Sequence, residues 1–385
     1  MYIGIVAEWN PFHEGHAHLL SMIRARYPEA PIAAAMSGAF VQRGEPALFD
    51  KWSRAAWSVE HGVSAAAELP VSCVLQSADR FAEAGILLLH AMGCTHAAFG
   101  AETLDAAAIS AVAKWTFSPA FSEAFHEALR KGLPYSAAVN DAAVRKFPGL
   151  ADDLTKPNNL LGIQYARTIL QYDLPMEILP FPRDQDQPVS ATAIRGEIAG
   201  GHAPSHIPEA ERPALLRLLR RGAFTDYRRY DDACLLSFRL LTKEHLIRSG
   251  LFSEGLENRW LKEMQRTSYE DMLAAIKSRR YLYSRLRRIG ASLLLAGADG
   301  PSPMAQPGRP LYVRLLALRR TESALLRRAR LPVITSTARA ERTLSGKAAA
   351  QLALDRRACD IQTFCFHGPE QRAGRQDYYR SPVIL

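Results

Sequence analysis

The chain has 385 residues and a mass of 42.6 kDa, enough for two or three domains, and its 48% hydrophobic and 23% charged content excludes a disordered or fibrous polymer. No apolar run approaches the roughly 18 residues of a membrane helix, and Glu8 interrupts the first apolar run in a start that lacks a basic segment, which argues against a signal peptide. The net charge of +9 is uneven: residues 1–200 hold 15 Lys and Arg against 21 Asp and Glu, a net of −6, whereas residues 201–385 hold 33 against 18, a net of +15. A basic half attracts polyanions, nucleic acid first, but reads equally well as a solvated surface.

Tyr2–Ala7 is a short apolar run with β-branched residues that ends at the Asn10-Pro11 turn, and it predicts a buried first strand. His16–Arg26 has helical spacing, with Leu19, Leu20 and Ile23 on one face. Pro31–Met36 reads as a second strand, Lys51–His61 as a helix, and a further strand leads to Leu69-Pro70. Asp79–Met92 is an amphipathic helix with Gly93 placed to cap it, and His96–Phe99 is a strand closed by Gly100. Strands alternating with helices indicate a parallel, Rossmann-like α/β sheet. Residues 104–147 are mostly helical, Leu160–Leu170 is another helix, and Met176–Leu179 one more strand.

The Gly- and Pro-rich stretch 200–208 marks a boundary between an α/β unit, residues 1–200, and a mainly helical basic unit, residues 201–385. In the second unit Leu215–Arg220, Leu236–Arg248, Trp260–Gln265 and Arg280–Leu295 suit helices, and 297–310 is a loop. Few strand patterns occur there. The five cysteines form no CxxC pair, which fits buried thiols in a reducing cytoplasm better than a disulfide framework or a zinc site.

The first strand runs into His13-Glu14-Gly15-His16, a His-x-Gly-His sequence at a strand-to-helix junction. Gly15 permits close backbone approach to a phosphate, the helix start offers free N–H groups, and two imidazoles at i, i+3 can touch one phosphate and stabilise its developing charge. Metal-binding or ordinary turn histidines are the competing readings. Downstream, Ser190-Ala191-Thr192-Ala193-Ile194-Arg195 predicts an N-cap at Ser190 and a helix through Ala199, with Thr192 and Arg195 near its start to hold β- and γ-phosphates.

The His-x-Gly-His loop with a late Ser-x-Thr-x-Ile-Arg resembles the nucleotidylyl transferase superfamily. More of the chain resembles one branch, the tRNA(Met) cytidine acetate ligases, at Glu8-Trp9-Asn10-Pro11-Phe12-His13-Glu14-Gly15-His16, at Met36 through Ala47, at Asp50-Lys51-Trp52 and Glu68-Leu69-Pro70, at Gln76-Ser77-Ala78 and Phe99-Gly100-Ala101-Glu102, and at Pro157-Asn158-Asn159-Leu160-Leu161-Gly162. Tyr283–Arg288 and Tyr312–Leu316 extend the similarity into the second half. The resemblance implies activation of acetate by ATP to acetyl-adenylate, with release of pyrophosphate, then transfer of the acetyl group to N4 of the wobble cytidine of elongator tRNA(Met). It implies that ATP lies along Val6-Ala7-Glu8-Trp9-Asn10-Pro11-Phe12-His13-Glu14-Gly15-His16-Ala17-His18-Leu19 and meets Gly100, Asn158, Asn159 and Arg183. On this reading His13 and His16 stabilise the α-phosphate, Ser190 and Arg195 hold the pyrophosphate, Mg²⁺ accompanies ATP, and Arg43 and Lys51 neutralise acetate or the tRNA backbone unless they are salt-bridged surface charges.

Along Arg280–Leu295, the residues Leu282, Leu286, Ile289 and Leu293 define one buried face, and Arg280, Ser284, Arg287 and Arg288 fall opposite. Arg280, Arg287 and Arg288 are thereby candidate contacts for tRNA phosphates, the alternatives being a solvated face or one paired with the acidic half. Two other function classes compete: a small-molecule adenylyltransferase, which has no use for a basic half, and a non-catalytic RNA-binding protein, which has no use for the complete histidine signature. A class I aminoacyl-tRNA synthetase would also carry a Lys-Met-Ser-Lys-Ser-like loop, and none occurs here.

Overall fold

The structure, a computed structural model, describes residues 1–102, 105–133, 135–183, 190–278, 281–297, 300, 302–305 and 308–385, with Tyr135 and Ser136 as backbone only. The strands in chain order are β1 (Ile3–Ala7), β2 (Ile32–Ser37), β3 (Phe40–Val41), β4 (Glu45–Pro46), β5 (Ala65–Leu69), β6 (His96–Ala101), β7 (Glu177–Pro182), β8 (Val313–Leu318), β9 (Val333–Ile334) and β10 (Val383–Ile384). An eight-stranded sheet has the order β10-β8-β5-β2-β1-β6-β7, with β9 also pairing β8, and β3-β4 forms a separate small hairpin. All pairs in the large sheet are parallel except β5 with β8.

β1 is central, with β2 on one side and β6 on the other, so the strand order reverses across it. Ligands of open parallel sheets bind outside the carboxyl ends of strands at such a switch point. The segments that follow β1 and β6 are therefore where a ligand belongs, and the His-x-Gly-His loop follows β1.

β2 and β5 contain Ala33–Ala35 and Ala65–Ala67, although alanine is a poor strand former. Both segments are fully buried, and burial on both faces decides the conformation over local preference. The helix Ala78–Ala91 lies close against β1: a Cβ at Gly4 would fall 2.7 Å from Leu89 Cδ1, and one at Gly85 would fall 2.6 Å from Val6 Cγ2. Gly93 ends this helix region at φ +89°, as its placement predicted.

The second half corrects the sequence reading in three ways. First, it is mainly helical, but β8 from residues 313–318 inserts antiparallel beside β5, with a register shift at Ala66/Ala67, and β10 pairs with β8. Strand pairing therefore crosses the expected boundary at residue 200. Second, the single helix expected over Leu236–Arg248 is two helices, Tyr227–Arg239 and Lys243–Arg248, because Thr242 caps the second by accepting from His245 N. Third, the helices Tyr269–Ile276 and Gly346–Phe364 lie where none was predicted.

Lys51 proves to be neither a ligand contact nor a surface charge. Its side chain has no exposure, and Nζ lies 2.7 Å from Glu68 Oε2 and 2.8 Å from Asp377 Oδ1. Arg314 on β8 closes the cluster, with Nη2 at 2.6 Å from Asp377 Oδ1 and Nη1 at 3.3 Å from Glu68 Oε2. Burial and then the Arg314 charge disfavour the Lys51 ammonium, but Asp377 and Glu68 outweigh them and hold it charged. The cluster staples the helix Lys51–Glu60, β5, β8 and the segment at Asp377 together. All five cysteines are buried free thiols. No helix among the described residues is long and apolar enough to cross a membrane.

Candidate nucleotide site

The helix Glu14–Arg26 begins at a cap built from two imidazoles. His13 is the N-cap, and its Nδ1 accepts the Gly15 N–H at 3.1 Å; His16, three residues on, accepts the His13 N–H on its own Nδ1 at 3.3 Å. This is the geometry of a capping box, with histidines in place of the usual Ser or Thr and Glu. The two rings lie 3.8 Å apart, tilted by 30°.

Because each Nδ1 accepts a backbone N–H, the proton of each neutral ring sits on Nε2. Burial, reinforced by the Arg183 charge, lowers His13 to about 4. Burial and then the neighbouring His13 and Arg183 push His16 well below its ordinary value. At neutral pH the pair is thus two uncharged Nε2–H donors. Such a pair can stabilise charge that develops on a phosphate, and it cannot accept a proton without breaking the cap.

Both rings line a cavity of about 410 Å³, a size typical of small-molecule sites. β1 and the loop after it contribute Val6, Ala7, Glu8, Trp9 and Asn10 to its wall, and the first helix adds Leu19. The opposite wall holds Arg183 after β7, Ser190, Thr192 and Arg195, while Arg43 and Glu45 reach in from the β3-β4 hairpin. Of the residues on which the resemblance placed ATP, Pro11, Phe12, Glu14, Gly15, Ala17 and His18 do not line the cavity. Phe12 packs in the core, and Glu14 pairs instead with His206, its N–H donating to the His206 carbonyl at 3.0 Å.

Ser190 caps the helix Ala191–Ala199, as predicted, by accepting the Ala193 N–H at 3.3 Å. Arg195 lies one turn in. Its Nη1 donates to the Asn10 carbonyl at 2.8 Å, its Nη2 to Thr192 Oγ1 at 3.2 Å, and Glu45 Oε1 stands 3.6 Å away. Three guanidiniums and two helix N-termini thus converge on a cavity whose inner donors are the imidazoles. That is the field a polyphosphate requires.

Gly100, Asn158 and Asn159 sit outside this cavity, at the end of β6. Asn158 donates to Glu102 Oε1 at 2.9 Å, and the buried Asn159 accepts the Glu102 N–H at 3.1 Å and donates to the Asp153 carbonyl at 3.0 Å. These contacts fix the carboxyl end of β6. A Cβ at Gly100 would meet nothing within 4 Å among the described residues, so the strand is open on that side.

Glu45 is the residue that sequence reasoning passed over. It bridges Arg195 to Arg287, whose Nη1 lies 3.2 Å from Glu45 Oε2 while its Nη2 lies 2.7 Å from Glu270. The hairpin turn also packs on the backbone there: Gly44 has φ +84°, and a Cβ on it would fall 2.5 Å from Arg287 C and Arg288 N. This contact corrects the expected solvent face of the helix, which begins at Tyr283 rather than at residue 280. Arg288 is buried, 8% exposed, while Leu282, expected inside, is 46% exposed. Arg287 pairs with the acidic half, as one of the alternatives held. Arg280 lies outside the described residues, as do positions 184–189 of the loop after Arg183.

The HIGH Nucleotidyl Transferase family profile matches residues 1–377. A tRNA(Met) cytidine acetate ligase of Bacillus velezensis is 33% identical over 347 residues, covering 84% of this chain and 83% of the relative. One from Listeria monocytogenes is 32% identical and covers 99% of this chain and 98% of its own. The chain belongs to the tRNA(Met) cytidine acetate ligase family. The fold agrees: the crystal structure of Thermotoga maritima TmcAL bound with alpha-thio ATP superposes with a TM-score of 0.90 at 29% identity, covering all of both chains. The apo form of that ligase gives 0.91 at 28% identity. A nucleotide therefore has a precedent in this family on this fold.

Proposed function

We propose that the protein is an ATP-dependent acetate ligase that makes acetyl-adenylate and acetylates N4 of the wobble cytidine of elongator tRNA(Met) in the cytoplasm. The observation that carries the reading is the imidazole cap: two neutral Nε2–H donors, fixed by backbone N–H groups, in a cavity ringed by Arg43, Arg183 and Arg195. Acetate is already an anionic nucleophile, so attack on the α-phosphate needs orientation and charge stabilisation rather than a side-chain base. His13 and His16 stabilise the α-phosphate, and Ser190, Thr192 and Arg195 hold the departing pyrophosphate. Mg²⁺ carried by the phosphates of ATP would neutralise part of their charge. Glu8 and Glu45 are the described carboxylates that line the cavity, and among the described residues no group of three His, Cys, Asp or Glu could hold a metal of its own.

The division of labour follows the charge. Residues 1–200 carry the adenylate chemistry, and the net +15 of residues 201–385 draws in the tRNA. Arg280 and the part-exposed Arg287 stay candidates for phosphate contact, whereas Arg288 is buried away from it. The test supplies ATP, labelled acetate and unmodified elongator tRNA(Met), then digests the RNA to nucleosides. N4-acetylcytidine that requires both ATP and acetate is expected. Its formation from acetyl-CoA without ATP, or its absence with all three substrates, would overturn the reading.

A further inference from the structure

Acyl transfer to cytidine makes a demand that adenylate formation does not. The exocyclic amine is a weak nucleophile whose lone pair is delocalised into the ring, and it must lose a proton as the new C–N bond forms. His13 and His16 are poorly placed to take that proton, because both Nδ1 atoms are occupied by backbone N–H groups and both Nε2 atoms carry hydrogen. The guanidiniums of Arg43, Arg183 and Arg195 hold no lone pair for it. Among the described residues lining the cavity, two carboxylates are left. Glu45 is committed to two cations, with Arg195 at 3.6 Å and Arg287 at 3.2 Å.

The other carboxylate is Glu8, which directly follows β1 at the switch point of the sheet. Its position is set from behind. The buried Arg54 donates to the Glu8 carbonyl at 2.6 Å, to the Ser37 carbonyl at 3.1 Å and to Phe49 O at 3.1 Å, tying the ends of β1 and β2 together. Its carboxylate is aimed by one bond, the Gln42 N–H donating to Oε1 at 2.6 Å. A backbone donor on one oxygen fixes the orientation of the group within the cavity.

We propose that Glu8 is the general base of the second half-reaction and takes the N4 proton of cytidine as it attacks acetyl-adenylate. The inference rests on the adenylate-then-transfer reading above. The bond from N4 to the acetyl carbon forms, and the bond from that carbon to the adenylate phosphate oxygen breaks. AMP departs with the electron pair, the N4 proton passes to Glu8, and Glu8 later releases it to solvent. Burial raises the Glu8 carboxyl above its ordinary value, opposed by the Gln42 N–H, Arg54 on the helix Lys51–Glu60 and Arg43 on the hairpin, and supported by Glu45. Tyr165, from the helix Pro157–Gln171, is the other ionisable group that feels its charge. A carboxylate raised in this way is a stronger proton acceptor than one in water.

The experiment bypasses the first half-reaction. Synthetic acetyl-adenylate and unmodified elongator tRNA(Met) are given to the full-length enzyme in single turnover across pH 5 to 8. Wild type should show a limb in which transfer rises with pH as a carboxyl group deprotonates. Glu8→Gln should transfer about 100-fold more slowly, the loss of a general base, and should lack that limb. Glu8→Asp should keep the limb at a reduced rate, because its carboxylate is retained but set back. A Glu8→Gln enzyme that transfers within a few-fold of wild type, or that keeps the limb, overturns the proposal. If Glu8→Gln does not fold, Glu8→Asp decides alone: an undiminished rate refutes it. Wild type that makes no N4-acetylcytidine from supplied acetyl-adenylate refutes the underlying reading instead, which keeps the two failures distinct.

Discussion

Two sets of ionisable side chains, the Lys51 cluster and the imidazole pair in the cavity wall, differ in where their polar atoms find partners. In the Lys51, Glu68, Arg314 and Asp377 cluster every charge faces a partner within the set, and none is more than 5% exposed. In the cavity, His13 and His16 spend their acceptors on backbone N–H groups and keep donors that meet no acceptor among the described residues. The cluster is charged and buried, whereas the imidazoles are neutral and half-buried in the cavity wall. A buried set whose charges pair with one another holds a fold together, whereas one left with oriented, unspent donors is arranged for a ligand. Lys51 shows how easily the two are confused in a sequence, where its place beside a family motif suggested ligand contact.

Four measurements would break or sharpen that contrast. The largest effect is expected at the imidazoles: His13→Ala or His16→Ala should lower acetyl-adenylate formation, read by acetate-dependent pyrophosphate exchange, by about 100-fold or more. Near-normal exchange in both variants would remove the histidines from the chemistry. Next, Lys51→Met should cost about 3–5 kcal/mol of stability in urea denaturation, because it leaves buried carboxylates short of a cation. The ATP KM of the remaining folded enzyme should stay at the wild-type value, and a raised KM would tie the cluster to the site.

The third concerns pH. His13 and His16 have folded values below the unfolded 6.5, His13 at about 4. The unfolded chain then binds protons first, so these two groups reduce stability as pH falls from 6.5 towards 4, with no contribution above 6.5. For catalysis the same depression predicts that adenylate formation has no acid limb near pH 6.5. A limb centred there, absent in His13→Ala, would mean that the pair works as imidazolium. The smallest effect is expected at Ser190→Ala, which removes the cap of the Ala191–Ala199 helix and should cost about 1 kcal/mol, read as a lowered melting temperature.

Much of this was legible in the chain. The alternating strands and helices of residues 1–101 and the cap at Ser190 follow from local signals that act over a few residues, whereas the pairing of the histidine loop with Arg195 was implied by the family resemblance. What escaped notice depends on distant partners. β8 reads poorly as a buried strand because Arg314 is its second residue, and the carboxylates paired with that charge, Glu68 and Asp377, are 246 and 63 positions away. The face of the Tyr283–Ala296 helix was misassigned because periodicity cannot report a second surface packing on it, here the hairpin turn at Gly44. Glu45 lies within the Met36–Ala47 stretch of the resemblance but was assigned no role there, and its role appears only once Arg195 and Arg287 are brought to its two oxygens.

The antiparallel strand beside β5 has a consequence for how the protein comes into being. A ribosome delivers β1, β2, β5, β6 and β7 long before Val313–Leu318, and until then β5 ends the sheet with its backbone N–H and C=O groups unpaired and its Ala-rich surface uncovered. Such an edge invites pairing with another chain. The nascent nucleotide-binding half is therefore a vulnerable intermediate, at risk through the synthesis of more than a hundred further residues. Its safe maturation depends on the helical half arriving, threading β8 into place and bringing Arg314 to the carboxylate of Glu68 that has been waiting for it.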